Sequence, residues 1–240
     1  TTTGGYNTAV GHSALVENTT GGYNVAVGYN TLSALTTGSS NVAVGPNALD
    51  AVTTGSNLTG VGNGALGANT TGAYNVAVGG ALGANTTGNG NIAVGYDALA
   101  LCTTGSTNVA VGSFALDALT TADNNTALGY AALSANTTGA SNTGVGAYAL
   151  DANTTADHNT ALGRDALTAN TTGAQNTSLG SNSMSVNTSG ADNVAVGYAS
   201  LDANTTASNN VAVGKSSLTA NTTGAQNIAV GMQSLDSLTT

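Results

Sequence analysis

Apolar and polar residues alternate along this chain in short groups that recur at a fixed interval. The clearest group is Asn-Val-Ala-Val-Gly at residues 24–28, where two valines flank an alanine. Fourteen versions of the group are present, and their closing glycines are 17 residues apart except for one step of 16. A fixed period this short indicates a repeat array. The closing glycines are Gly11, Gly28, Gly45, Gly62, Gly79, Gly95, Gly112, Gly129, Gly146, Gly163, Gly180, Gly197, Gly214 and Gly231.

The residues before each closing glycine predict one short β-strand per repeat. The residue directly before the glycine is Val or Leu in every copy, and the third residue before it is Val, Ile or Thr. Alternation of such residues is typical of strands. We call these two positions the aliphatic columns and the position between them the alanine column. We expect the aliphatic columns to face the interior.

The alanine column is small in all fourteen copies, with Gly60, Gly144 and Ser178 as its exceptions to alanine. A half-exposed strand face should be polar and variable. Crowding inside the chain's own fold would explain the small residues, but we favour close packing of a second chain. The predicted interface residues are Ala9, Ala26, Ala43, Ala77, Ala93, Ala110, Ala127, Ala161, Ala195, Ala212 and Ala229.

The second half of each repeat begins with two variable turn residues and continues to a leucine column, which is Leu in thirteen copies and Met184 in the other. We expect this column to be core. The next residues are polar and then small, as at Asp50 and Ala51, and this alternation predicts a second short strand with its aspartates facing outward.

Three residues after the leucine column lies a position that is Asn in most copies but Leu35, Val52, Cys102 or Leu119 in others. Because it accepts both Asn and Leu, we expect it to be buried, with the amides stacked as a hydrogen-bonded ladder. Cys102 is then a small buried residue and not a reactive thiol. Glycans could not attach to inward asparagines in the Asn-Thr-Thr sequons, which begin at Asn69, Asn85, Asn136, Asn153, Asn170, Asn204 and Asn221.

The closing glycine has no exceptions, so we expect a positive φ or a close backbone approach there. A second glycine follows the Thr-Thr pair, but Ala122, Ala156 and Ala207 replace it, so that position does not require a left-handed conformation. Short strands and turns in a 17-residue unit predict an all-β fold, a parallel β-solenoid of about fourteen rungs. The missing residue of the 16-residue unit, near Gly80, should fall in a surface turn.

The composition of the chain limits the classes of ligand that it can bind. Charged residues make up 5% of the chain, and the formal net charge is −9 with two cations, Arg164 and Lys215. This argues against nucleic acid and anionic membranes as ligands. No apolar run is long enough to span a membrane, no signal peptide is recognisable, and one cysteine excludes an internal disulfide. We expect residues 1–240 to be one continuous array, a segment of a longer fibre.

Catalytic and metal-binding chemistry is not indicated. His12 and His158 lie in different turn columns, nine repeats apart. The aspartates of the outward column after the leucine never occupy adjacent repeats, so we expect no enzyme activity, cofactor or metal site. Surface contact candidates are the turn tyrosines, which could stack on a host glycan or anchor a receptor but could equally cover the core's edge. These candidates are Tyr29, Tyr96, Tyr130 and Tyr198.

The Thr-Thr pairs suggest a different function, because regular threonine ladders on a flat solenoid face can order water and bind ice. Consecutive residues point in opposite directions on a strand, so only one of the two threonine columns can lie on a given face.

The repeat resembles the head repeats of trimeric autotransporter adhesins, which carry an Asn-x-x-Ala-Ile/Val-Gly motif seen here at residues 24–28 and in the other copies. Similar arrays occur in bacteriophage tail fibres. The resemblance covers the whole chain and implies a left-handed β-roll, three identical chains side by side, and the small column near their interface. It implies an extracellular structural or adhesive segment of a cell-surface or virion fibre. This chain departs from the adhesin repeat by about three extra residues per unit, at the Asn-Thr-Thr corner.

Overall fold

The structure, a computed structural model, describes residues 3–240, and this range contains strands and turns but no helix. Each repeat contributes one strand of three residues. In chain order the strands are β1 (Thr8–Val10), β2 (Val25–Val27), β3 (Val42–Val44), β4 (Thr59–Val61), β5 (Val76–Val78), β6 (Ile92–Val94), β7 (Val109–Val111), β8 (Thr126–Leu128), β9 (Thr143–Val145), β10 (Thr160–Leu162), β11 (Thr177–Leu179), β12 (Val194–Val196), β13 (Val211–Val213) and β14 (Ile228–Val230).

The chain divides into two compact units, Thr1–Asp123 with β1–β7 and Asn124–Thr240 with β8–β14. Within each unit the strands pair in parallel and in chain order. Equivalent residues of successive repeats lie side by side, as Val25 does with Val42 in the first unit and Val194 with Val211 in the second. The predicted parallel β-solenoid is therefore confirmed, with one coil for each repeat.

The leucine column forms a turn and not the second strand that its pattern suggested. Leu32 is fully buried, as expected of a core residue, but its φ of 50° places it in the left-handed region. The equivalent residue of every repeat has a φ of 50–56°, and all are buried except Leu15 and Leu235 in the two terminal repeats. A strand cannot continue through that conformation. Coils still bond to each other here, since the Leu32 amide donates to the Ala48 carbonyl oxygen at 3.2 Å. The leucines are buried although they lie on tight turns, so the sequence shows the alternation of apolar and polar residues that is typical of a strand.

The alanine column faces the interior of each coil, and its assignment to a chain–chain interface is wrong. Ala26 and Ala110 have no exposed surface in the single chain. The same is true of Ala43, Ala77, Ala93, Ala127, Ala161, Ala195 and Ala212, while Ala229 is 2% exposed and Ala9, in the first strand, is exposed. Crowding within the chain's own fold, the explanation that we had ranked second, accounts for the small residues.

Contacts at Gly60 show how little room the interior leaves. A Cβ atom built on Gly60 would lie 3.1 Å from Cγ of Leu49, in the preceding coil, and 3.2 Å from the Ala65 carbonyl oxygen. Ser178, the polar member of the alanine column, is buried and donates its hydroxyl to the Ser183 carbonyl oxygen at 2.9 Å. A methyl group therefore fills the space between the strand and the leucine turn, and larger side chains would clash.

Two asparagine columns run through the interior. In the column before each strand, Asn24 accepts from the backbone amide of Asn41 at 3.0 Å and donates to the Gly38 carbonyl oxygen at 3.0 Å. The column after the leucine turn forms the predicted amide ladder. In the second unit, six successive side chains bond at 2.8–3.5 Å, namely Asn136, Asn153, Asn170, Asn187, Asn204 and Asn221. Both columns satisfy most buried polar groups coil by coil, and the exceptions are the Oδ1 atoms of Asn85 and Asn221, which have no partner in the described chain.

The closing glycine has a positive φ in all fourteen repeats, as predicted. A Cβ atom on Gly28 would lie 2.9 Å from the carbonyl carbon of Gly45, so the next coil's backbone also excludes a side chain. The glycine after the Thr-Thr pair has no positive φ, again as predicted. In the 16-residue repeat the missing residue falls at the exposed Gly80, and β5 keeps its register with β6.

Candidate interaction surfaces

The aliphatic columns point away from the coil interior, which reverses the prediction made from their composition. Because side chains alternate along a strand, an inward alanine forces both of its neighbours outward. Val42 and Val44 are each 37% exposed, and Leu162 is 53% exposed. All 28 residues of the two columns are Val, Ile, Leu or Thr, so each unit has an exposed sheet face without a single charged or amide side chain. We call this surface the aliphatic face.

The size of the aliphatic face makes it a candidate for binding. Seven strands spaced by about 4.8 Å, each three residues wide, form a strip on the order of 300 Å² in each unit. The largest contiguous apolar patch on a typical monomeric protein covers about 300–600 Å² and is often functional, so a strip of this size in each unit is a candidate interaction site. The sequence contained a signal for this surface that we misread. A column that tolerates only small residues lies in a narrow interior, and its larger neighbours must then lie outside.

The two threonine columns have different roles. The first threonine of each pair is mostly half-buried, and its hydroxyl bonds to the neighbouring coil. Thr36 Oγ1 donates to the Thr53 carbonyl oxygen at 3.0 Å, and Thr137 does the same to Thr154 at 3.1 Å. The second threonine, such as Thr37, is exposed, and its hydroxyl bonds to no other group of the described chain. Only the second column is therefore available to a ligand.

The four tyrosines chosen as contact candidates are all exposed, by 49–63% of their surface. Tyr29 stacks on His12 with ring centroids 5.5 Å apart, whereas Tyr96 meets Phe114 edge-on at 5.6 Å. Tyr130 meets Tyr148 edge-on at 5.4 Å, and no ring partner is recorded for Tyr198. Ring pairs between consecutive coils leave the tyrosine edges open to solvent.

The residues with acid–base or metal-binding chemistry are dispersed. His12 and His158 are both exposed and lie in separate units. Within residues 3–240 no group of three or more His, Cys, Asp or Glu side chains could hold a metal ion, and no pocket is present. Burial raises the pKa of the Asp50 carboxyl, and the Asp202 carboxylate accepts from the Ser185 hydroxyl at 2.5 Å. The aspartate column is thus half-buried and partly bonded to neighbouring coils.

Cys102 and the sequon asparagines lie where the sequence placed them. Cys102 is buried, and burial raises the pKa of its thiol to about 11. Asn-Thr-Thr occurs eight times, and the seven asparagines from Asn69 to Asn221 have no exposed surface, so glycan attachment to them would require the coil to open. The eighth, Asn18 in the first repeat, is half-buried.

Comparison with known proteins adds no family to this description, because neither a protein-family model nor a curated protein matches the chain. The described residues contain no helix with the length and apolar character needed to cross a membrane.

Proposed function

We propose that this chain is a non-enzymatic structural segment of an extracellular fibre, on a bacterial surface or a virion, that acts as a rigid spacer and presents binding surface along its length. Two features support rigidity. Backbone hydrogen bonds join each coil to the next, and the asparagine and threonine ladders add side-chain bonds at the same spacing. Coils held at so many points bend little.

The observation that carries the proposal is the aliphatic face. An exposed sheet face of Val, Ile, Leu and Thr, with no charge, is unfavourable in water unless something covers it. The face repeats at the coil spacing, so the partner that matches it strand by strand is another copy of the same chain. We propose side-by-side association through this face. The number of three chains rests on the resemblance of the repeat to trimeric adhesin heads.

Solution mass tests this proposal. The wild-type chain should have about three times the 22.9 kDa mass of one chain in light scattering. The double variant Val44→Lys, Leu162→Lys places one exposed cation on the aliphatic face of each unit and should reduce the mass to that of a monomer, because burying an unpaired charge is strongly unfavourable. A monomeric wild-type chain would refute association through this face.

A matched control uses the turn position directly after the closing glycine, where Arg164 and Lys215 already occur. Lysines at Asn63 and Ser181 add the same charge to the same two units without touching the aliphatic face. The control variant should keep the wild-type mass. If both double variants dissociate, added charge alone is responsible and the aliphatic face is not the interface.

Adhesion is the second part of the proposal, and the exposed tyrosines support it. Tyr96 and Tyr130 offer aromatic surface and a hydroxyl that could meet a host glycan or receptor. A glycan array probed with the wild-type chain should give a defined set of binders, and the set should be lost when Tyr29, Tyr96, Tyr130 and Tyr198 are replaced by serine. Binding that survives these substitutions would place the contact elsewhere.

A further inference from the structure

One exposed column of this solenoid is more uniform than its structural role explains. In the thirteen pairs from Thr19-Thr20 to Thr222-Thr223, the second residue is Thr in twelve and Ser in the other. All thirteen side chains are exposed, and they are Thr20, Thr37, Thr54, Thr71, Thr87, Thr104, Thr121, Thr138, Thr155, Thr172, Ser189, Thr206 and Thr223. Other exposed columns vary freely among Tyr, Ser, Asn, Gln, Asp and Gly. Surface positions that do not bear on folding ordinarily tolerate such variation.

The fold accounts for the first threonine column but not for the second. The hydroxyl of Thr103 donates to the Thr120 carbonyl oxygen at 3.2 Å, so threonine there completes an inter-coil ladder. The neighbouring Thr104 is exposed, and its hydroxyl has no partner in the described chain. A serine, asparagine or lysine at Thr104 would leave every recorded hydrogen bond in place. The uniform threonine therefore points to a requirement at the surface itself.

The residues that follow keep this surface level. The next residue is the inward glycine or alanine, and the one after it is Gly, Ala or Ser in ten of the thirteen repeats. The three larger residues bend back onto the chain. Asn89 accepts from the Ala73 amide at 2.8 Å, Asp123 from Ser106 at 2.7 Å and Asp157 from Ala140 at 2.6 Å. No side chain of this column is therefore free to rise over the threonines and block them.

The surface is also rigid and regular. Consecutive coils place a methyl group and a free hydroxyl at intervals of about 4.8 Å, and the β-branched side chain has few rotamers to lose on binding. The first threonine column fixes the adjacent backbone through its ladder. A ligand for such a row must be uncharged, must bond to hydroxyls, and must itself repeat at short intervals. Water in the ice lattice has all three properties.

We propose that the second threonine column, with the small column beside it, binds ice. The hydroxyls take positions in a layer of ordered water, and the methyl groups occupy the spaces between those waters. Each ordered water costs little to immobilise, and the regular row of seven sites in the first unit and six in the second repeats the gain from coil to coil. This surface is separate from the aliphatic face, so ice binding and chain association are independent properties of the coil.

Thermal hysteresis and inhibition of ice recrystallisation test the proposal on the complete chain. The wild-type chain should show both. The double variant Thr71→Lys, Thr172→Lys places a long charged side chain near the middle of the row in each unit and should lose both activities. Circular dichroism and melting should be unchanged, because both threonines are exposed and make no side-chain bond.

The control is the same pair used for the mass measurement, with lysines at Asn63 and Ser181, and it should retain full ice activity. A wild-type chain with neither activity overturns the proposal, as does a threonine variant that keeps both activities. Loss of activity in the control as well would show that added charge is responsible, which also overturns it. The solution mass of each sample reports chain association separately, so failure of ice binding and failure of the fibre proposal can be told apart.

Discussion

Asn85 and Cys102 occupy the same position in consecutive coils, and the Oδ1 atom of Asn85 has no hydrogen-bond donor. Where two asparagines follow each other in this column, the next one supplies the donor, as Asn170 does to Asn153 at 3.0 Å. The Cys102 thiol instead lies 3.6 Å from the Gly105 carbonyl oxygen. Replacement of one amide by a thiol therefore ends the ladder and leaves its last acceptor buried without a partner.

Cys102→Asn should extend the ladder and stabilise the chain. The new Nδ2 atom would reach Asn85 Oδ1, and satisfying a buried acceptor is worth about 1 kcal/mol. Urea unfolding monitored by circular dichroism measures the change. Cys102→Ala is the control, since it shortens the side chain without supplying a donor and should lower the free energy of unfolding. If Cys102→Asn were no more stable than Cys102→Ala, the unpaired Asn85 acceptor would not be what lowers the free energy of unfolding at this position.

The Cys102 thiol should make the folded chain sensitive to alkaline pH. Burial raises its pKa from 9.0 to about 11, with the nearby Asp123 charge acting in the same direction. Between these values the folded chain keeps a proton that the unfolded chain has lost, so this contribution to stability is present below pH 9 and disappears as pH rises towards 11. Melting temperatures across this range should fall more steeply for wild type than for Cys102→Ala. Melting temperatures that fall equally with pH in the wild type and in Cys102→Ala would contradict the burial of the thiol.

Ala110 and Val111 should respond in opposite ways to substitution. Ala110 is fully buried in the coil, so Ala110→Leu should overpack it and cost about 1–3 kcal/mol. The neighbouring Val111 faces outward, and Val111→Thr introduces a residue that the other aliphatic column already carries, as at Thr126, so it should change the stability of the single coil by less than about 0.5 kcal/mol. Chemical denaturation of both variants checks this order. A larger loss of stability from Val111→Thr than from Ala110→Leu would contradict the inward orientation of the alanine column.

Gly163→Ala should be strongly destabilising. Gly163 has a φ of +136°, and an added Cβ would lie 2.6 Å from the carbonyl carbon of Gly180 in the next coil. The backbone strain alone costs about 1–3 kcal/mol, and the clash adds to it. Gly83 provides a matched control, because a Cβ there meets no atom within 4 Å. Gly83→Ala should be neutral or stabilise by up to about 1 kcal/mol. Equal melting temperatures for the two variants would contradict the requirement for glycine at the closing position of the repeat.

Residues whose pattern repeats without exception were predictable. The positive φ of the closing glycine was predictable because no other residue replaces it in any repeat. Apolar residues in place of asparagine, Val52 and Leu119, indicated that their column is buried. The exposure of the tyrosines was also predicted from the pattern, as was the placement of only one of the two threonine columns on a given face. The proposed interface did not, because the strand signal Val-Ala-Val has the same alternation whichever face is inside.

The sequence by itself determined the period, the parallel register and the place where a residue could be deleted, since stacked coils must align equivalent residues. Only the tertiary structure decided the direction of the side chains. The left-handed turn at Leu49 brings the leucine against Gly60 in the strand of the next coil and leaves no space there for a side chain larger than a methyl group. Closure of so narrow a coil turns the alanines inward and the valines outward. This orientation places the aliphatic face on the outside of the chain.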